Sequence, residues 1–411
     1  MKYLIVVPDG SADDYMDELG GKTPLEVANL PNIDYLASLG EIGTSRNVPE
    51  GVGPGSDSAN LSVMGYCPKR YLTGRSPLEA AAIGVDMKDT DVSFRVNFVT
   101  VDPNGEDDYE NFTIRDHAAG DIETEDAKIL LDVIAGKYTE DTVHFYPGTG
   151  YRHCMIVNEG NVHNHIDYKF VPPHDILDRK IKEYLPKGPS AEFILNMMKG
   201  SYDLLKDHPI NKERVAKGLN PANSIWIWGQ GTKPNLENFN QKFGVDGAVI
   251  SAVDLIRGIG MFAGMDVIEV EGANGTINTN YEGKVAAAIK EYESGRNMVY
   301  MHIEGTDECS HQGNIEAKIR CAEYIDGRVV KPLYEYLKST GEPFKILVIP
   351  DHRTPIAIRT HTSDPVPFVI YDSEHEKEKD TSRKFDERTC GRANNHYEDG
   401  SHLADHFFGK C

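Results

Sequence analysis

The sequence predicts an α/β protein on a doubly wound, mainly parallel sheet, with a smaller α+β domain inserted into it. Three observations carry this expectation. Short, unbroken apolar runs rich in β-branched residues recur along the chain, helical patterns lie between them, and a middle stretch of different composition interrupts the alternation.

The apolar runs are residues 3–7, 224–228, 266–270, 298–302, 345–349 and 367–371. Continuous apolar character over so few residues suits strands buried on both faces, as a parallel sheet covered by helices requires. Periodic apolar positions predict helices over 248–262, 284–292 and 316–337, and a short one over 60–64. From about Asp91 to His208 the chain is richer in charge, Gly and His, with weaker strand runs at 94–101 and 153–157. Pro172, Pro173, Pro186 and Pro189 punctuate it. The expected organisation is therefore 1–87 and 223–411 as two parts of one domain, with 88–222 as the insert and a cleft where hinge loops join them.

At 411 residues two domains is the natural expectation, and 39% hydrophobic with 26% charged residues describes an ordinary globular chain. A net charge of −22 argues against nucleic acid or an anionic membrane as partner, since both need clustered Lys and Arg. A phosphorylated small molecule would have to be held by metal ions and a few local arginines. The six cysteines (Cys67, Cys154, Cys309, Cys321, Cys390 and Cys411) show no CxxC spacing and read as reduced thiols. The N-terminal apolar run stops at Pro8-Asp9-Gly10, too short for a signal or membrane segment, so a cytoplasmic protein is expected.

Three of the apolar runs lead into carboxylates: 3–7 into Asp9, 298–302 into Asp307, and 345–349 into Asp351-His352. In an open parallel sheet the C-terminal strand ends share one edge, where ligands bind, so acids distant in sequence can converge. His311 follows Asp307 by four residues, one helical turn, and His361 sits in Thr360-His361-Thr362. Asp and His together suit Mn or Zn, and Mg where oxygen dominates. Two such ions could clamp both ends of an in-line displacement at phosphorus, and coordination would activate a serine hydroxyl. Ser56, in Gly53-Pro54-Gly55-Ser56-Asp57-Ser58-Ala59-Asn60, is the candidate nucleophile, placed where the glycines let backbone approach a phosphate at a helix start. Each feature alone is more often a turn or cap; their combination points to phosphoryl transfer. The remaining histidines, among them His117, His163, His165, His396, His402 and His406, read as solvated or structural.

Taken in order, Pro8-Asp9-Gly10, the Ser56 loop, Asp307…His311, Asp351-His352 and Thr360-His361-Thr362 resemble the archaeal type of cofactor-independent (2,3-bisphosphoglycerate-independent) phosphoglycerate mutases, of the alkaline phosphatase superfamily. The likeness extends over nearly the whole chain, through Gly21-Lys22-Thr23-Pro24, Leu72-Thr73-Gly74-Arg75, Phe94-Arg95-Val96-Asn97 and Trp228-Gly229-Gln230-Gly231. It implies an alkaline-phosphatase-like metalloenzyme domain interrupted by a phosphotransferase-type insert. It also implies two divalent ions, Mn²⁺ foremost with Mg²⁺, Zn²⁺ or Co²⁺ also compatible, and no diphosphoglycerate cofactor. The implied reaction is the glycolytic interconversion of 3-phosphoglycerate and 2-phosphoglycerate through phospho-Ser56. The pairing of ligands with sites leans on this resemblance: Asp307, His311 and His361 for one ion; Asp9, Asp351, His352 and the Ser56 hydroxyl for the other. Because the glycerate must stay bound, arginines should grip it bidentately, and Arg75, Arg95, Arg152 and Arg257 are the candidates, with Lys233 and Arg353 behind them.

Two departures bear on the substrate. Asn60 stands where the family often has a His four residues after the serine, and Asp116-His117-Ala118-Ala119-Gly120-Asp121 stands where archaeal members carry an Asp-Arg-Arg-Ala-Gly-Arg run. The alternative is a phosphotransferase of the same superfamily acting on another small hydroxy compound, such as a homoserine kinase. Two further readings are a phosphate-ester hydrolase and a non-catalytic scaffold with a degenerate site, and the scaffold is disfavoured because the full ligand set is present.

Overall fold

The computed structural model describes residues 1–410, which form two compact units: Met1–Leu72 together with the chain from Asn235 onward, and Thr73–Pro234. The first unit is built on an eight-stranded sheet. Its strand order is Asn395–Tyr397, Glu41–Ser45, Val366–Asp372, Phe344–Val348, Lys2–Pro8, Met298–Ile303, Gly247–Ile250 and Asp266–Val267. All neighbours are parallel except that Val366–Asp372 runs antiparallel to both its neighbours. This is the mainly parallel α/β class that the apolar runs predict.

Lys2–Pro8 lies at the centre because Leu4, Ile5, Val6 and Val7 are fully buried, with side chains alternating between two helix-covered faces. Its register with Met298–Ile303 sets Pro8 beside Ile303, and with Phe344–Val348 sets Val6 beside Val348. The C-terminal ends of all three strands therefore open onto one edge, with Asp9, Asp307 and Asp351 just beyond. The two reversals at Val366–Asp372 turn Glu41–Ser45 back to the same direction, so Arg46 and Asn47 emerge at that edge as well.

Several elements differ from expectation for identifiable reasons. The run at 266–270 yields only the two-residue edge strand Asp266–Val267. The helical reading of 248–262 covers two elements, the strand Gly247–Ile250 and the helix Asp254–Phe262, because one apolar stretch supplies both a buried strand and a helix face. The helix over 316–337 is present as Ile315–Ile325 and Lys331–Ser339, joined without a break through a π-helical turn at Asp326–Val330. There the Asp326 carboxylate accepts from the backbone N–H of Asn32 (3.0 Å) and Ile33 (2.7 Å), satisfying the start of the helix Pro31–Leu39.

In the second unit Val92–Asp102 is the organising strand. It pairs antiparallel with Arg152–Val157, Thr113–Asp116 and Ser224–Thr232, and Val143–Tyr146 completes the sheet beside Arg152–Val157. The helices Thr124–Tyr138 and Ala191–Leu205 cover a core that includes Phe94, Phe98, Leu130, Met198 and Trp226. The expected boundaries at 88 and 222 differ from this division. The helix Ser76–Ala82 packs on Val92–Asp102, and the apolar run 224–228 is an antiparallel partner of that strand rather than a parallel strand of the main sheet. Among the described residues no helix is long and apolar enough to cross a membrane, and Cys67, Cys154, Cys309, Cys321 and Cys390 are free thiols.

Candidate active site and metal centre

The carboxylates at the sheet edge converge. Asp9 is buried immediately after its strand, and Gly10 takes φ +59, turning the chain so that its N–H donates to Asp351 Oδ1 at 3.1 Å. The Asp9 carbonyl accepts from the Thr306 hydroxyl, tying this loop to the start of the helix Gly305–His311. Along that helix, Asp307 and His311 meet across one turn, with His311 Nε2 3.1 Å from Asp307 Oδ2.

Two ligand groups result, each with its donor atoms within 4.8 Å of one another: Asp307, His311 and His361, and Asp9, Asp351 and His352. In the first, His361 Nε2 lies 3.4 Å from Asp307 Oδ1 and 3.2 Å from His311 Nε2. The His311 Nδ1–H donates to the Arg359 carbonyl at 2.9 Å, which turns Nε2 into the group. In the second, His352 Nε2 lies 3.4 Å from Asp351 Oδ2 and 3.6 Å from Asp9 Oδ1. The rings of His352 and His361 are 4.1 Å apart between centroids, so the groups adjoin.

Ser56 is the first residue of the helix Ser56–Val63, and its Oγ stands 3.2 Å from His352 Nε2. Asn60, one turn on, donates through Nδ2 to the Ser56 carbonyl (2.8 Å) and to Asp351 Oδ2 (2.8 Å). The serine at the helix start and the ligand loop are thereby held by one amide.

The electrostatics of this edge are unbalanced. Burial first, then the neighbouring Asp351 and Asp307 charges, raise the Asp9 carboxyl well above its usual range. Burial would raise Asp351 and Asp307 too, but adjacent imidazoles outweigh it and lower both. The hydrogen bond to Asp307 raises His311 to about 9. Asp9 Oδ1 is buried and has no hydrogen-bond partner, and it is the oxygen turned toward His352. Three carboxylates, one of them with an orphaned buried oxygen, three imidazole nitrogens and a hydroxyl fit a pair of divalent cations of the Mn or Zn type.

Sequence reading missed the residues that hold these ligands. Asn47 is buried, and its Nδ2 donates to the carbonyls of Pro350 (3.0 Å) and Asp351 (2.9 Å). Tyr300 donates to Asn60 Oδ1 at 2.5 Å. His302 is fully buried two residues further along the same strand face, with Nε2 3.3 Å from Asp9 Oδ2. Its Nδ1 is 3.2 Å from Glu304 Oε1, and Glu304 pairs at 3.1 Å with Lys284, which has no exposed side-chain surface. A polar His inside the otherwise apolar run 298–302 was the available signal. Asn47 and Lys284 carried none.

The basic residues separate. Arg75, Arg95 and Arg152 are electrostatic neighbours in the second unit, where the Arg95 guanidinium lies 4.2 Å over the Trp228 ring and Nε donates to Glu79 at 2.9 Å. His174 stands beside the same ring (5.7 Å), and His117, half-buried in the loop after Thr113–Asp116, is 6.0 Å from His174. Lys233 also lies in this unit. Arg257 lies in the other unit and is paired with Asp254 and Glu269. Arg353 braces loops, with Nε donating to the Pro365 carbonyl at 2.9 Å.

A family model described as 2,3-bisphosphoglycerate-independent phosphoglycerate mutase matches residues 37–211. The chain is 45% identical over 390 residues to the protein of that name from Methanosarcina barkeri, covering 95% of each chain. It is 46% identical over 403 residues to a probable 2,3-bisphosphoglycerate-independent phosphoglycerate mutase from Geobacter sulfurreducens, covering 98% of each. Among solved structures, a Pyrococcus horikoshii protein superposes over 100% of this chain and 98% of its own with TM-score 0.81 at 27% identity. The cofactor-independent phosphoglycerate mutase of Thermoplasma acidophilum superposes over 100% of both chains with TM-score 0.64 at 26% identity. On this likeness over almost its whole length, the chain belongs to the 2,3-bisphosphoglycerate-independent phosphoglycerate mutase family.

Proposed function

We infer that the chain is a metal-dependent phosphoglycerate mutase that interconverts 3-phosphoglycerate and 2-phosphoglycerate through a phosphoserine on Ser56. The observation that carries this reading is the Ser56 Oγ at a helix start, 3.2 Å from His352 Nε2 and against the Asp9, Asp351 and His352 group. Asp307, His311 and His361 would hold one divalent ion, and Asp9, Asp351, His352 and Ser56 the other, with Mn²⁺ the best match to this Asp and His set. When bound, such ions lower the pKa of the serine hydroxyl and neutralise charge on the transferred phosphoryl group.

The chain's own residues do the rest. Ser56 Oγ gives up its proton and attacks phosphorus; the bond to the glycerate oxygen breaks as the bond to Oγ forms, and the freed glycerate oxygen takes up a proton to become a hydroxyl. The start of the helix Ser56–Val63 stabilises the anionic phosphoserine through the positive end of the helix dipole. Arg75, Arg95 and Arg152 retain the glycerate by its carboxylate until its other hydroxyl takes the phosphoryl group back. Arg257 is already paired with both Asp254 and Glu269, as Arg95 is with Glu79, so each would have to exchange a carboxylate partner to bind substrate. No diphosphoglycerate donor is needed in this scheme, and its setting is the cytoplasm. The names of the relatives support the mutase over a homoserine-type kinase.

Ser56→Ala tests the reading against wild type with Mn²⁺ on 3-phosphoglycerate in an enolase-coupled assay, on homoserine with ATP, and on an aryl phosphate. Mutase activity in wild type only, with ³²P retained on Ser56, is expected. Wild-type activity on homoserine with none on 3-phosphoglycerate would overturn the substrate, and an active Ser56→Ala enzyme would overturn the nucleophile.

A further inference from the structure

Thr354 is buried three residues beyond Asp351, and its hydroxyl touches both ligand groups. Oγ1 donates to Asp307 Oδ1 at 2.6 Å and lies 3.1 Å from His352 Nδ1. The direction of these bonds follows from proton counting. A threonine hydroxyl has one hydrogen, and a carboxylate oxygen only accepts, so the hydrogen lies on the Asp307 side. Oγ1 then faces His352 with a lone pair, and His352 must carry its proton on Nδ1. Its Nε2, 3.2 Å from Ser56 Oγ and 3.4 Å from Asp351 Oδ2, is left with the lone pair.

The hydroxyl is not free to move. The Thr354 N–H donates to the Ala12 carbonyl at 3.2 Å, and the Thr354 carbonyl accepts from Lys318 Nζ at 3.0 Å. Lys318 is itself buried and bound to Asp13 at 2.7 Å. A β-carbon on Gly10 would come within 2.5 Å of Oγ1, so glycine there leaves the hydroxyl its space.

We propose that Thr354 is a positioning residue that joins the two metal groups, fixing His352 in the tautomer whose Nε2 can bind a cation and orienting Asp307 in the neighbouring group. The inference rests on the two-metal reading above. Mn²⁺ titration of wild type, Thr354→Val and Thr354→Ser, with ions per chain counted after dialysis, tests it. Outer partners of this kind change metal affinity about 10- to 100-fold. Wild type and Thr354→Ser should each hold two ions, while Thr354→Val, with a methyl in place of the hydroxyl, should bind both at least about tenfold more weakly. Two ions at wild-type affinity in Thr354→Val would overturn the role of Thr354 and leave the metal reading standing. A wild type that binds none would overturn both. Nitrogen chemical shifts of His352 in the metal-free wild-type protein decide the matter without a variant: an Nδ1–H tautomer is expected, and an Nε2–H tautomer would refute the proposal.

Discussion

The buried chain Lys284–Glu304–His302–Asp9 allows a quantitative test of what stands behind the site. Lys284→Met keeps most of the side-chain volume and removes the charge, leaving the Glu304 carboxylate at 5% side-chain exposure without its cation. At an effective dielectric near 20, unit charges 3.1 Å apart attract by about 5 kcal/mol. The loss will be smaller, because Glu304 Oε1 keeps the Ser251 hydroxyl (3.1 Å) and the Ala252 N–H (2.9 Å). Removing one partner of a buried pair usually costs 3–5 kcal/mol, so about 3 to 4 kcal/mol is expected here. Loss of a second contact adds to the effect, since Lys284 Nζ also donates to the His302 carbonyl at 2.8 Å. Urea unfolding of Lys284→Met, Glu304→Gln and the double variant reads the cycle. The double variant should be more stable than Lys284→Met alone, because no uncompensated charge is left. A Lys284→Met protein within about 1 kcal/mol of wild type would refute the argument that the pair must stay intact.

Two further predictions follow from buried groups near the same edge. Burial raises Glu387 from 4.5 to about 7, against the Thr23 and Asp13 hydrogen bonds that lower it. A folded-state value above the unfolded one means that the stability is fully present below about pH 4.5 and is lost as pH rises through 7, by about 3 kcal/mol in all. Glu387→Gln should flatten the urea midpoint between pH 5 and 8, and an unchanged pH slope would refute this. Gly10→Ala would place a methyl 2.5 Å from Thr354 Oγ1 and 2.6 Å from Asp307 Oδ1 at φ +59, so Mn²⁺ affinity should fall at least tenfold; Gly20→Ala, at φ +67 with open space around it, should lose only about 1 kcal/mol of stability and no metal binding.

How much of this was legible depends on whether a residue's role is set locally. Asp9, Asp307 and Asp351-His352 could be found because each follows an apolar run, and parallel strands put such positions at a common edge. The run 224–228 misled because burial on both faces looks the same whether the partners are parallel or antiparallel; only the pairing with Val92–Asp102 decides it. Asn47 was invisible for a different reason. It reaches the Asp351 loop only because Val366–Asp372 reverses direction and returns Glu41–Ser45 to the same edge, a matter of sheet order that no local pattern encodes. Thr354 had the right neighbours in sequence, but a hydroxyl three residues after Asp351 has meaning only once Asp307 is known to face it.

The buried lysines clarify why the acids at the edge remain available. Lys284 is bound to Glu304, and Lys318 to Asp13, each inside the first unit and each with side-chain exposure of 1% or less. Neither cation comes forward to Asp9, Asp307 or Asp351. Had either done so, a fixed ammonium would occupy the position of one metal, and Asp9 Oδ1 would not be left buried without a partner. The structural charges are thus neutralised among themselves behind the edge, while in front the three carboxylates meet imidazoles and the neutral donors of Gly10, Asn60 and Thr354, with no Lys or Arg ion pair to Asp9, Asp307 or Asp351 among the described residues. In a chain of net charge −22, that local imbalance cannot be relieved by the surrounding field. Divalent cations bound there would relieve it, and in the proposed reaction they would also activate the Ser56 hydroxyl toward a phosphate ester at neutral pH.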